Sequence, residues 1–184
     1  MLYRDMKRLN ALHLMLIQLL LAATALGSDA SSAKNPAAGS YQIRNKQFGD
    51  LLRPENANGA VGTRIVLHPA QPWKCMTWKV QPAGESGFQL QNYFTSKTFA
   101  AEASTEQPEQ RVTQVAFAKP PGTNPLWQII KVSNGTYKIL EAKMGKALTA
   151  VKVDGGVRIV VRAWQDKDEQ KWELVPIDPS QLTM

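Results

Sequence analysis

Cysteine is nearly absent, since Cys75 is the only one in 184 residues. A lone thiol closes no internal disulfide, so an apolar core alone must hold the fold together. Histidine is almost as scarce, with His13 and His68 only. A cysteine or serine nucleophile needs an imidazole partner, and His68 is the only one after the N-terminal segment, so a catalytic triad is not expected. No glycine-rich phosphate loop is present either, which removes a nucleotide site of that kind. These gaps point away from an enzyme and away from any cofactor. Cys75 is read as a small packed side chain.

Long hydrophobic runs are also wanting. The longest, Leu12–Leu26, is broken by His13 and Gln18, whereas a membrane span asks for about 20 apolar residues in a row. With Arg4, Lys7 and Arg8 before it, and small residues at Ala25 and Gly27 or at Ser28 and Ala30, the segment fits an export signal. Residues 1–27 are assigned to it, with cleavage after Gly27 or after Ala30. The mature chain is then expected outside the cell, or in the periplasm of a Gram-negative host, with no membrane span. Residues 28–40, SDASSAKNPAAGS, are small and polar and read as a flexible linker.

Charge of one sign is only mildly in excess. The formal net charge is +7, and loss of the three cations and one anion within residues 1–27 leaves +5. That permits weak attraction to anionic surfaces, but it is spread along the chain like an ordinary solvated surface. No nucleic-acid partner is expected.

What the sequence does contain is one pattern written three times, a feature that must be sought before other fold reasoning. The copies open with YQIRN at Tyr41, FQLQN at Phe88 and YKILE at Tyr137, the aromatic–polar–aliphatic alternation of a half-buried strand. Eleven residues after each opening aromatic stand Leu52, Phe99 and Leu148. Arg64, Arg111 and Arg158 follow at intervals of 47 residues, inside TRIVLH, QRVTQV and VRIVVR. Each copy closes on a tryptophan strand at Trp78, Trp127 and Trp172, which lie 14, 16 and 14 residues beyond the arginine. The copies span 41–81, 87–131 and 136–176, inside a domain of 41–177 followed by a C-terminal tail, 178–184. No helical period appears after the N-terminal segment, so an all-β domain follows.

Four-stranded units leave open edges that must be paired or covered. A propeller built from such units needs about 4–8 of them, and three cannot make that ring. Three copies around a pseudo-threefold axis can instead form a capped barrel, a β-trefoil. Its predicted core is Tyr41, Leu52, Trp78, Phe88, Phe99, Trp127, Tyr137, Leu148 and Trp172.

The pattern resembles the ricin-B-type lectin family over Tyr41–Ile177. Gln170-Lys171-Trp172 matches that family's Q-x-W triplet, while Met76 and Pro125 replace the glutamine before Trp78 and Trp127. The resemblance implies a sugar pocket in each intact repeat. In that pocket an aspartate follows the apolar residue of the second strand, an aromatic ends the third, and Asn-Gln precedes the last tryptophan. The matching residues here are Arg53, Ala100 and Thr149; His68, Val115 and Arg162; and Cys75-Met76, Asn124-Pro125 and Glu169-Gln170. No copy keeps the full set.

Two segments nonetheless carry the ingredients of sugar recognition, an indole face beside amide or carboxylate groups. In the first copy these are His68, Gln71 and Trp73; in the third they are Trp164, Gln165, Asp166 and Asp168. The competing reading makes both tryptophans lids on the barrel bottom. Asp166 and Asp168 lack the further oxygen ligands of a calcium loop, so no metal is expected. Paired carboxylates could still act as acid and base, but a short trefoil offers no deep cleft for them. The leading expectation is a glycan-binding module with a glycan or glycoconjugate as partner. The alternative is a trefoil that binds another protein, such as a protease inhibitor acting through the loop Ala116–Asn124. Asn134-Gly135-Thr136 is a glycosylation acceptor in a eukaryotic host.

Overall fold

The computed structural model describes residues 35–85, 87–103, 108–118, 123–133 and 135–184. The expected signal segment, Asn134 and the tip of the Ala116–Asn124 loop lie outside the described residues. Twelve strands are present among those described. Six form a closed ring: β1 (Gly39–Asn45), β4 (Thr77–Pro82), β5 (Phe88–Asn92), β8 (Trp127–Ser133), β9 (Thr136–Glu141) and β12 (Trp172–Pro176). Each pairs antiparallel with the next, and β12 returns to β1. The other six make three hairpin caps: β2 (Leu51–Pro54) with β3 (Ile65–His68), β6 (Thr98–Ala101) with β7 (Gln110–Val115), and β10 (Ala147–Val153) with β11 (Gly156–Arg162). A six-stranded barrel with three hairpin caps is the β-trefoil that the repeats predict.

The repeat extends to individual hydrogen bonds. Each closing tryptophan donates its indole N–H to the carbonyl of the second residue of the first cap strand in its own copy. The pairs are Trp78 to Leu52 at 2.9 Å, Trp127 to Phe99 at 3.3 Å, and Trp172 to Leu148 at 2.9 Å. A buried N–H is thereby satisfied without water. The residue ending each opening strand (Asn45, Asn92 or Glu141) accepts from the backbone N–H groups two and three positions on. Its register partner is the closing tryptophan of a neighbouring strand: Trp172, Trp78 and Trp127 respectively. The turn then requires a positive φ four residues after it, found at Gly49, Ser96 and Gly145. Glycine takes this conformation freely, and Ser96 takes it at a steric cost.

The core contains four sets of three, one member from each copy: Ile43, Leu90, Ile139; Leu52, Phe99, Leu148; Ile65, Val112, Ile159; and the three tryptophans, all buried. Each such side chain stabilises the fold by roughly 1.5–3 kcal/mol. Phe99 sits between two indoles, edge-on to Trp78 at 5.0 Å and tilted against Trp127 at 4.9 Å.

Two predicted core residues belong at its rim. Tyr41 and Tyr137 are half-buried and pack against the outside of the cluster. The aliphatic residue two positions later takes the central place, because a tyrosine hydroxyl keeps a polar partner; that of Tyr41 donates to the Ala37 carbonyl. Phe88, with no hydroxyl, is buried. The linker also ends earlier than expected, since β1 begins at Gly39. The tail after Ile177 is docked, with Thr183 bridging Trp73 through Lys74 N–H to Thr183 O and Thr183 N–H to Pro72 O. Among the described residues no helix is long and apolar enough to cross a membrane.

Candidate functional site

The first copy builds its site from the β2–β3 cap and the segment leading into β4. Trp73 precedes a single 3-10 turn, Lys74–Met76, in extended backbone. Its carbonyl accepts from Met76 N–H and from the Thr77 hydroxyl. The indole packs against a small second core of Leu51, Cys75 and Met76. His68, at the end of β3, lies 5.5 Å from the Trp73 ring, tilted by 45°. Its Nδ1 is 2.9 Å from the Pro69 carbonyl; a carbonyl only accepts, so Nδ1 is the donor.

Arg53 approaches the same indole with its guanidinium carbon 5.9 Å from the ring centroid. The residue is 8% exposed, and its Nε has no hydrogen-bond partner. A buried cation with an unmet donor is costly, and the indole face offsets only part of that. Arg53 also governs Cys75. Burial pushes the Cys75 thiol up, and the Arg53 charge pulls against it without reversing the direction. Cys75 therefore stays a neutral thiol at physiological pH, as a packed cysteine does. Arg53, Asn56, Trp73, Cys75, Phe94 and Met184 border an open cavity of about 220 Å³. Asn56 and Ala57 beside it both hold positive φ, 52° and 53°, a strain that persists only where the surroundings enforce it.

The structure brings His68 and Trp73 together but leaves Gln71 out. Gln71 is exposed, lines neither this cavity nor the larger one described below, and contributes its carbonyl to the Gln42 side-chain amide.

The third copy is differently committed. Trp164 is half-buried with the Lys138 ammonium 5.4 Å from its ring. Gln165 holds the side chain of Gln170 through its backbone N–H at 2.7 Å, and Gln170 in turn reaches Thr149 and Ala163. That is the structural use of the one intact Q-x-W glutamine. Asp166 and Asp168 are already paired through one oxygen each: both face Lys171, at 3.1 and 3.3 Å, and Asp168 also meets Lys46 at 3.1 Å. The Lys46 hydrogen bond is the main reason the Asp168 carboxyl lies below the ordinary aspartate range. Asp166 likewise holds the Lys171 ammonium above its usual value. In the second copy, Asn124 spends both side-chain groups on the backbone of Ala118. Among the described residues no group of three or more His, Cys, Asp or Glu is placed to hold a metal ion.

Sequence reasoning registered Arg53 only as a missing aspartate and overlooked Asn56, Phe94 and Met184. Met184 lies 131 residues from Arg53 in sequence, and nothing local announces that the C-terminus docks there.

No family model and no curated protein matches the sequence. Solved structures do. A designed threefold-symmetric protein, ThreeFoil, superposes with a TM-score of 0.68 at 22% identity, covering 76% of this chain and 99% of its own. The Rhizoctonia solani agglutinin gives 0.67 at 20% identity, over 78% and 99%. The ricin B-like lectin of Macrolepiota procera, solved with lactose, gives 0.62 at 14% identity, over 78% and 99%. The chain shares its β-trefoil with ricin-B-like lectins. At these identities the trefoil is what is shared; pocket chemistry must be argued from this chain's own side chains.

Proposed function

We propose that the mature chain is an exported carbohydrate-binding module, and not an enzyme, that recognises glycans at a shallow site in the first copy. The observation that carries this reading is the Trp73 indole, braced by Arg53 and His68 at an open cavity. An aromatic face covers the apolar side of a sugar ring, while Arg53 N–H groups and Asn56 supply directional partners for hydroxyls. The shared trefoil with an agglutinin and a lactose-bound lectin supports it. The third copy is the weaker half, because its carboxylates are already paired with lysines.

A glycan array with the mature protein, Trp73→Ala and Trp164→Ala tests the reading. Binding is expected to disappear in Trp73→Ala and to survive in Trp164→Ala. Glycan binding retained by both variants refutes the site. A protein that binds no glycan yet inhibits a member of a protease panel replaces the reading with the protein-binding alternative.

A further inference from the structure

The three arginines that mark the repeat meet on the far side of the caps. Arg64, Arg111 and Arg158 occupy equivalent positions, one per copy, and all three line one open bowl of about 450 Å³. Its floor includes Ile65, Val112 and Ile159, the buried set just below. Residues equivalent under a threefold operation can converge only near its axis, so the bowl sits on the pseudo-threefold axis of the trefoil. The β7–β11 pairing and the bridge from Arg64 to Thr113 hold the caps together there.

The charge in this bowl is unbalanced. Arg64 is taken up by Glu55 through two hydrogen bonds, 3.0 and 2.7 Å long. Arg111 and Arg158 have no carboxylate within salt-bridge distance among the described residues. Arg53, nine-tenths buried with its Nε unpartnered, lines the same bowl. Against these four guanidinium groups stand two carboxylates, Glu55 and Asp154. Like charges crowd together at a cost unless an anion joins them, and guanidinium groups are the side chains best shaped to grip an oxyanion by two parallel N–H bonds.

We propose that this axial bowl is a second binding site, for a small polyanion carrying two or more carboxylate, sulfate or phosphate groups. The excess of two positive charges sets the minimum, and convergence from three copies sets the geometry, with several oxyanions gripped from different sides at once. Arg111 and Arg158 are the free arms, Arg53 the buried one, and Glu55 the group that competes for Arg64. The site shares Arg53 with the first-copy cavity, but it uses neither the Trp73 ring nor a sugar bound against it.

Calorimetric titration of the mature protein at low salt, with citrate, inorganic pyrophosphate and a sulfated disaccharide as separate probes, tests the site and sorts the oxyanions. At least one probe is expected to bind, with affinity falling as salt is raised. The double variant Arg111→Gln/Arg158→Gln is expected to weaken it by at least about tenfold, a modest share of the two charge-assisted bonds removed because both groups are exposed. Glu55→Gln, which removes a competing carboxylate, is expected to tighten it. The charge-matched control Lys79→Gln/Lys131→Gln, on exposed residues outside the bowl's lining, is expected to weaken it far less than the double arginine variant. Binding by none of the three probes overturns the proposal. So does binding that the double arginine variant leaves intact, or that the lysine control weakens equally. Thermal melts of each variant confirm that all remain folded.

Discussion

Replacing Trp127 with alanine probes the barrel interior where its contacts are best defined. The side chain is fully buried, its ring lies 4.9 Å from that of Phe99, and its N–H meets the Phe99 carbonyl at 3.3 Å. Truncation removes the apolar burial, opens a cavity and strips a buried carbonyl of its donor. Large-aromatic truncations of this kind cost about 3–5 kcal/mol. For a domain of this size that lowers the melting midpoint by roughly 6–20 °C, at about 2–4 °C per kcal/mol. Trp127→Phe separates the contributions, because it keeps much of the ring and loses the donor; about 1–3 kcal/mol is expected from the orphaned carbonyl. Urea unfolding followed by circular dichroism measures both, with Trp164→Ala as the half-exposed comparison. A loss below about 1 kcal/mol for Trp127→Ala, within the range of an ordinary surface change, refutes the shared interior of three indoles.

Two further outcomes follow from local geometry. Gly87→Ala places a Cβ 2.7 Å from the Trp127 carbonyl oxygen at a φ of +131° and should cost about 1–3 kcal/mol. Gly59→Ala, with nothing within 4 Å, should leave stability level or raise it by up to about 1 kcal/mol; equal losses in the two would show that the close approach is unimportant. Asp168 tests the lysine cage. Its folded carboxyl is held low by Lys46 and Lys171, so the stabilisation is complete above the unfolded pKa and is lost as pH falls through the folded one. Carboxyl NMR titration should place the Asp168 midpoint below that of an ordinary aspartate and move it upward in Lys46→Ala. A midpoint indifferent to Lys46 ends that account.

The architecture could be read from spacing because a period states which residues are equivalent, and equivalence under three copies leaves few closed arrangements. The same argument says nothing about depth. Tyr41 and Ile43 lie on one face of β1, yet only Ile43 reaches the centre, and the deciding hydroxyl is a matter of local wetting. Asp168 looked like a free acceptor because one of its partners, Lys46, comes 122 residues before it. Arg64, Arg111 and Arg158 were visible as landmarks, but only the caps' packing shows that they share one bowl. Arg53 reads as the loss of a sugar-binding aspartate; its burial beside Trp73 makes it a cation waiting for a partner.

The seam between β1 and β12 sets a timetable for folding. Glu173 touches Arg44 although the two stand 129 positions apart, and the Ile177 N–H reaches back to the Ser40 carbonyl. The clasp therefore cannot engage until nearly the whole polypeptide has emerged. Until then two ring strands present bare backbone edges, each a template for a neighbouring molecule. Contacts so distant in sequence slow the search for the native state. Truncating the chain before β12 thus removes more than a few side chains: it leaves the circle open.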